Sequence, residues 1–168
     1  MDHLYTPWRM AYLKAEGRKP VDCVFCAKVN ADDEAENVVA RSQHVFVTLN
    51  LYPYNNGHLL VVPYAHVPSL EALPPDALTD LMLTTNRALA ALRAVYKPQA
   101  FNIGANLGAA AGAGIADHFH LHIVPRWGGD TSFMAVTAET RVIPELLTDT
   151  WRKLREAWPK QEQDQHQD

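Results

Sequence analysis

Cysteine is nearly absent from this chain: two in 168 residues, set three positions apart as Cys23-Val24-Phe25-Cys26. A pair that close cannot staple distant segments, which excludes a disulfide framework. The spacing reads instead as metal or redox chemistry in a reducing compartment. An excess of positive charge is missing too. Lys and Arg number 15 against 19 Asp and Glu, and the net charge of −4 argues against broad electrostatic capture of nucleic acid or of an anionic membrane. Any phosphate must then be held by a local site. No apolar run reaches transmembrane length, and the opening MDHLYTPWRM lacks the charged and apolar regions of an export signal. A cytoplasmic enzyme with neither nucleic-acid nor membrane partners is the default expectation. Both common nucleotide-loop signatures are absent as well. No Gly-Lys-Ser/Thr closes a Walker loop, and the glycines at 104–114 lead into a strand pattern where a dinucleotide fingerprint needs a helix.

What is present suits one soluble domain over 1–160, at 48% apolar and 20% charged residues. Residues 1–22, with Tyr5, Trp8 and Tyr12 among basic residues, read as an arm packing on the body. The polar 161–168 reads as a disordered tail. The acidic 32–36 looks like a solvated turn. HVFVTLN (44–50) and HLLVVPY (58–64) alternate as strands around the turn chemistry of Pro53 and Asn56-Gly57, which makes a hairpin. From Pro74-Pro75-Asp76 to Lys97-Pro98, a stripe of Leu78, Leu81, Met82, Leu89, Leu92 and Val95 has helical spacing. FNIGAN (101–106) is a further strand, and a last helix spans 144–158. The order of elements is α+β, with helices on one face of an antiparallel sheet.

The stretch DHFHLHIVPRW (117–127) carries His118, His120 and His122 on alternate positions. On a helix such residues diverge by roughly 200°, whereas on a strand they share a face. Phe119, Leu121 and Ile123 suit a buried opposite face, and Pro125 ends the run. A strand at 118–124 with one imidazole face follows. Two chemistries fit it. Three rings can hold a catalytic metal, or one neutral imidazole can attack phosphorus or carbon while its neighbours orient it. Gly104, Gly108, Gly112 and Gly114, with Asn106, enter the strand directly and let backbone N–H groups approach phosphate oxygens. Arg126 adds a fixed cation. These neighbours favour the nucleophile.

His118-Phe-His120-Leu-His122-Ile-Val resembles the signature of the histidine triad (HIT) family, with a Pro-Arg continuation. TLNLYPYNNGHLLVVPYAH (48–66) is similar to that family's upstream strand pair. LYTPWRMAYL, CVFC, PRWGGDTSFM (125–134) and RVIPELL (141–147) resemble its bacterial diadenosine-tetraphosphate phosphorylase/hydrolase branch. The resemblance implies a five-stranded antiparallel HIT fold, a homodimer sharing a sheet, and a nucleotide substrate. It also implies transfer through a covalent nucleotidyl-histidine, with phosphate or water as acceptor. By position, His120 would be the nucleophile, His122 would lie against the α-phosphate, and His58 would support the site. Asn50 would contact the ribose, Asn106 the phosphate side, and the backbone of Gly112, Ala113 and Gly114 the phosphates.

The resemblance also bears on the cysteines. His66 stands where metal-binding relatives, including the larger uridylyltransferases, place a third ligand, and His118 is the fourth there. Cys23, Cys26, His66 and His118 would then hold a structural zinc, with His44 a spare candidate. One departure stands out. Many family members carry Ser or Thr shortly before the first triad histidine, and Gly112-Ala113-Gly114-Ile115-Ala116 offers no hydroxyl. That favours a polyphosphate leaving group over an amine, because an amine needs a proton as it departs. A nucleoside phosphoramidate hydrolase and a metallohydrolase with zinc on the triad are the competing readings.

Overall fold

The strict period of two in each strand sends alternate residues to opposite faces, and here both faces are covered. The computed structural model describes residues 23–130 and 145–160. Within them lie α1 (Val24–Ala27), β1 (Val38–Arg41), β2 (Val45–Leu49), β3 (Leu59–Pro63), α2 (Pro75–Tyr96), β4 (Ala100–Gly104), β5 (Leu121–Arg126) and α3 (Leu147–Glu156). The five strands form one antiparallel sheet in the order β1-β2-β3-β5-β4. Val45, Val47, Leu49, Leu59, Val61 and Ile123 face α2 and α3 and meet Leu81, Ala88, Leu92 and Leu154 in the main core. On the reverse face Phe46, Leu60 and Val62 pack with Val38, Cys23 and Phe25. The two long helices therefore share one face, as expected, and the cysteine segment covers part of the other.

The hairpin pairs from Val45↔Pro63 to Leu49↔Leu59. The long helix begins one residue after Pro74 and stops at Lys97, whose φ of 47° is left-handed and whose N–H bonds the Arg93 carbonyl. Two carboxylate oxygens of Asp80 in α2 hold the β1–β2 turn, accepting from the Ser42 hydroxyl at 2.5 Å and the His44 N–H at 2.7 Å.

Three expectations are corrected. The histidine strand runs over Leu121–Arg126, not 118–124. β4 ends opposite His122, and the pairing with β3 stops at Val61↔Leu121 although β3 itself runs on to Pro63, so residues 118–120 lie outside the ladder; Phe119 N–H bonds the Val67 carbonyl instead, at 2.6 Å. Pro125 lies within β5. Its carbonyl accepts from Asn55 Nδ2 at 3.1 Å, beyond the β3 ladder, and in extended backbone its nitrogen faces the same side, where no ladder donor is needed. The acidic turn is not simply solvated, since Asp33 pairs with Arg41 (2.8 Å) and Arg155 (3.1 Å), and Glu36 with Lys28 (2.9 Å). Strand β1 escapes the alternation test because its register shifts between Val38 and Ala40. The expected arm (1–22), tail (161–168) and Pro144 lie outside the described residues.

Gly57 shows how closely the turn before His58 is fitted to α2. Its φ is +73°, and a Cβ there would stand 2.9 Å from Leu92 Cδ2 and 3.1 Å from the Tyr96 ring. Gly57→Ala is expected to lower unfolding stability by about 1–3 kcal/mol, through both strain and overpacking. Urea denaturation with an unchanged m-value checks it; a loss below about 0.5 kcal/mol would show that the turn relaxes without cost.

Candidate functional site

Strand β5 delivers His122 to the reverse face of the sheet, opposite Leu60 in β3. His58, one residue before β3, meets it there: His58 Nε2 and His122 Nδ1 are 2.9 Å apart. Hydrogen bonding assigns the protons. The Tyr54 backbone N–H donates to His58 Nδ1 at 3.0 Å, so that nitrogen carries a lone pair and the proton sits on Nε2. His58 Nε2–H therefore donates to His122 Nδ1, which leaves the His122 proton on its own Nε2. Asn50 Nδ2 also reaches His58 Nδ1, at 3.3 Å, while its Oδ1 accepts from Tyr52 N–H. Burial above all, then the neighbouring His122 and His120, lowers the His58 pKa to about 3. Charging it would also force an Nδ1–H against the Tyr54 N–H.

His120 is 7% exposed. Its Nδ1 lies 2.9 Å from the His118 carbonyl, which only accepts, so Nδ1 holds the proton and Nε2 bears the lone pair. Burial outweighs that hydrogen bond and keeps the ring's pKa below its ordinary value. The His120 and His122 ring centroids are 5.0 Å apart. One face thus presents a lone-pair nitrogen on His120 beside a donor nitrogen on His122. A cavity of about 260 Å³ opens next to His122, lined among others by Tyr54, Asn102, Gly104 and Asn106.

The first triad histidine turns elsewhere. His118 is fully buried, and its Nε2–H donates to the Pro63 carbonyl at 2.9 Å, which leaves Nδ1 with a lone pair. That Nδ1 lies 3.2 Å from Cys23 Sγ, 3.6 Å from Cys26 Sγ and 3.2 Å from His66 Nδ1, and Cys26 Sγ is 3.2 Å from His66 Nδ1. All four ligand atoms lie within 4.8 Å of one another, so Cys23, Cys26, His66 and His118 could hold a metal ion. His44 is not among them, since its Nε2 faces Asp76 at 3.3 Å. Among the described residues, this metal-competent cluster includes a single triad histidine.

A family model for the HIT domain matches residues 32–129. The chain belongs to the HIT family. A relative of this HIT protein, the AP-4-A phosphorylase of Mycobacterium tuberculosis, is 44% identical over 169 residues, covering 96% of this chain and 86% of the relative. Among solved structures, a Zn-bound histidine triad family protein from Mycobacterium smegmatis matches with a TM-score of 0.65. It is 32% identical and the match covers 80% of this chain and 91% of that one. A hypothetical histidine triad nucleotide-binding protein from Sulfolobus tokodaii matches with the same TM-score at 25% identity, over 80% and 91% of the two chains.

In this HIT chain the glycine loop lies on the imidazole side, where Ile115 packs against the Cys23–Phe25 cluster. Gly108 and Gly112 have φ of 79° and 87°, and the Ala109–Ala111 turn between them uses the Gly112 and Ala113 N–H groups on the Ala109 and Gly108 carbonyls (3.0 and 3.4 Å). Arg126 is not a free cation for phosphate. Its guanidinium forms a two-pronged pair with Asp130 (2.6 and 2.9 Å) and holds Asn102 Oδ1 at 2.9 Å. Sequence reasoning passed over Phe25, Tyr54 and Asn102. Phe25 stands 5.0 Å from the His120 ring, and Tyr54 stacks nearly parallel to His122 at 6.1 Å. Position between the two cysteines was the one available signal for Phe25; Tyr54 and Asn102 gave none.

The depressed His58 pKa carries a pH signature. Below the unfolded value of 6.5 the unfolded chain takes up a proton that folded His58 refuses until about pH 3. Stability therefore falls on acidification from about 6.5 toward 3, by up to about 1.4 kcal/mol per pH unit for that proton. Replacing His58 by Asn should flatten the stability–pH slope by up to one proton's worth. Denaturation series at stepped pH check it, and an unaltered slope would mean that His58 is not held neutral.

Proposed function

We propose that this chain cleaves dinucleoside polyphosphates, diadenosine tetraphosphate foremost, by passing a nucleotidyl group first to His120 and then to inorganic phosphate. The observation that carries this reading is the tautomer of His120. With Nδ1–H committed to the His118 carbonyl, Nε2 has its lone pair available at neutral pH without any further base. The 44% identical relative named AP-4-A phosphorylase supports the substrate class and the acceptor.

In the proposed step His120 Nε2 forms a bond to the α-phosphorus as the bond to the bridging oxygen breaks. The far polyphosphate departs as ATP and takes up the electron pair. The positive charge that develops on the His120 ring faces the His118 carbonyl. His122 Nε2–H donates to a phosphoryl oxygen, and its tautomer is held by the chain from Tyr54 N–H through His58. Asn50 supports that chain through His58, and by its place in the family pattern it contacts the ribose in this reading. Asn106 and the Gly114 backbone N–H approach the phosphates, while the Gly112 and Ala113 N–H groups, expected from the sequence to do so, are engaged on the Ala109 and Gly108 carbonyls. Phosphate then attacks the adduct from solution, releasing ADP; water would release AMP. Gly112 to Ala116 bring no side-chain acid, which suits an anionic leaving group and not an amine. Zinc on the triad is disfavoured, because His120 and His122 lie outside the metal-competent cluster.

Zinc is the proposed occupant of that cluster. Tetrahedral bonds of about 2.0–2.3 Å set ligand atoms roughly 3.3–3.8 Å apart. Four of the six pairs, at 3.2–3.6 Å, come within about 0.3 Å of that spacing. Two thiolates and two imidazoles are also a closed structural set, and His118 Nε2–H on the Pro63 carbonyl fixes the ligating nitrogen. When bound, zinc supplies no reaction step; it ties α1 to the segment before β5. In the same reading the chain is a cytoplasmic homodimer. Free cysteines and the edge strand β4, with its Ile103 exposed, support these two points.

His120→Asn is expected to fold and to lose about 10⁴-fold or more in turnover. Wild type quenched in base after labelled diadenosine tetraphosphate should carry an acid-labile adenylyl group on His120. Phosphate should shift the products from AMP plus ATP to ADP plus ATP. In the same assay kcat/KM should exceed that for adenosine 5′-phosphoramidate by about 10²-fold, or roughly 2.7 kcal/mol. An active His120→Asn enzyme would overturn the nucleophile, and a reversed substrate ratio would install the phosphoramidase.

Elemental analysis of protein purified without added metal is expected to find one zinc per chain, and Cys23→Ser to lose it. A metal-free preparation with unchanged melting temperature and activity would leave the two thiols as ordinary packing residues.

A further inference from the structure

The Cys-Val-Phe-Cys motif contains a residue that binds no metal and sees little solvent. Phe25 lies in α1 between the two thiols and is 4% exposed. Its ring centroid stands 5.3 Å from that of His118, nearly edge-on at 68°, and 5.0 Å from that of His120, tilted at 47°. It therefore touches a candidate metal ligand and the proposed nucleophile at once. His120 has one polar tether, the Nδ1–H bond to the His118 carbonyl. A single hydrogen bond does not by itself fix the ring's rotation about its axis, so the rings packed against it, Phe25 on one side and His122 on the other, decide where Nε2 points.

Phe25 has only part of its own place secured. A four-residue helix without a side-chain cap has no stability by itself. Its downstream end is anchored well: the Arg41 guanidinium donates to the Lys28 and Val29 carbonyls at 2.8 Å each, and Lys28 pairs with Glu36. Among the described residues, the upstream end, from Cys23 to Cys26, reaches the rest of the fold through the packing of Cys23, Val24 and Phe25 and the Sγ contacts to His66 and His118. Those side-chain contacts become covalent anchors when a metal joins them.

We infer that Phe25 is a positioning residue that couples the Cys23–Cys26–His66–His118 cluster to the nucleophile, pressing the His120 ring into line with the α-phosphorus while the cluster is loaded. The inference rests on the reading of His120 as nucleophile. Misplacing an attacking atom by about 1 Å costs on the order of 10²-fold in rate. Loss of the wall thus acts on kcat and leaves nucleotide binding alone.

The test compares wild type and Phe25→Ala, each zinc-loaded and zinc-stripped, with diadenosine tetraphosphate. Loaded Phe25→Ala is expected to keep its zinc stoichiometry and a KM within about 3-fold, while kcat falls about 10–10²-fold. Stripping wild type should cost a similar factor, and stripping Phe25→Ala less than about 3-fold more, because the coupled element is already gone. Nitrogen-15 spectra should show one Nδ1–H tautomer for His120 in loaded wild type, and mixed tautomers in the variant and in stripped wild type. Phe25→Leu, which keeps an apolar wall, should lose less than Phe25→Ala and is judged by the same criteria where Phe25→Ala does not fold. An unchanged kcat, loss of zinc from the variant, or effects of stripping and substitution that simply multiply would each overturn the coupling. Activity retained by His120→Asn would instead overturn the nucleophile reading; an inactive His120→Asn beside a fully active Phe25→Ala would overturn this inference alone.

Discussion

A single main-chain carbonyl, that of His118, sits at the junction of everything that distinguishes this site. It accepts the Nδ1 proton of His120 and thereby leaves the lone pair on Nε2. The residue that owns it is fully buried, gives its own Nε2 proton to the Pro63 carbonyl, and turns Nδ1 toward Cys23, Cys26 and His66. An imidazole has two nitrogens and one proton when neutral, so each acceptor decides what the far side of the ring can do. Alternation along the chain places His118 and His120 two residues apart, and one peptide carbonyl then joins the metal-competent cluster to the reactive face.

Burial supplies the rest of the electrostatics. His58, His118 and His120 are all held below the ordinary histidine pKa, in each case chiefly by desolvation. The cost of burying these rings uncharged is small compared with burying them charged, and a backbone hydrogen bond satisfies one nitrogen of each. The Tyr54 N–H, His58 and His122 form a directed chain in which every member has one defined tautomer. Held uncharged by burial, His58 and His120 suit an anionic substrate as neutral donors and lone pairs.

The two-faced sheet explains how such a site is kept rigid. The aliphatic core under α2 and α3 anchors β2, β3 and β5, leaving the reverse face for the imidazoles. Gly57 allows the turn before His58 to approach Leu92 and Tyr96 closely, so the helix layer fixes the position of a residue on the opposite face. At the other end of β5, Arg126 and Asp130 form a neutralised pair that orients Asn102 beside the cavity. The cation that the chain pattern offered to phosphate serves instead as a strut.

Periodicity made much of this legible in the sequence. The hairpin, the long helix with its prolines and Lys97, and the strand that carries His122 follow from local rules of side-chain direction and backbone allowance. The family signature added Cys23, Cys26, His66 and His118 as one group, and the fold brings their ligand atoms together. Tertiary structure alone decided the rest. Strand β5 begins at Leu121 because its pairing with β3 and β4 stops there, a fact no single segment contains. Strand β1 hides behind a register shift, and Arg126 is neutralised by a residue whose pairing depends on how the chain turns after the strand. Proton placement on each ring depends on backbone groups at positions 54, 63 and 118, which composition does not encode. Residue types and their spacing set which chemistries were open to this chain. Which nitrogen carries the lone pair was set by hydrogen-bond partners that only folding brings within 3 Å.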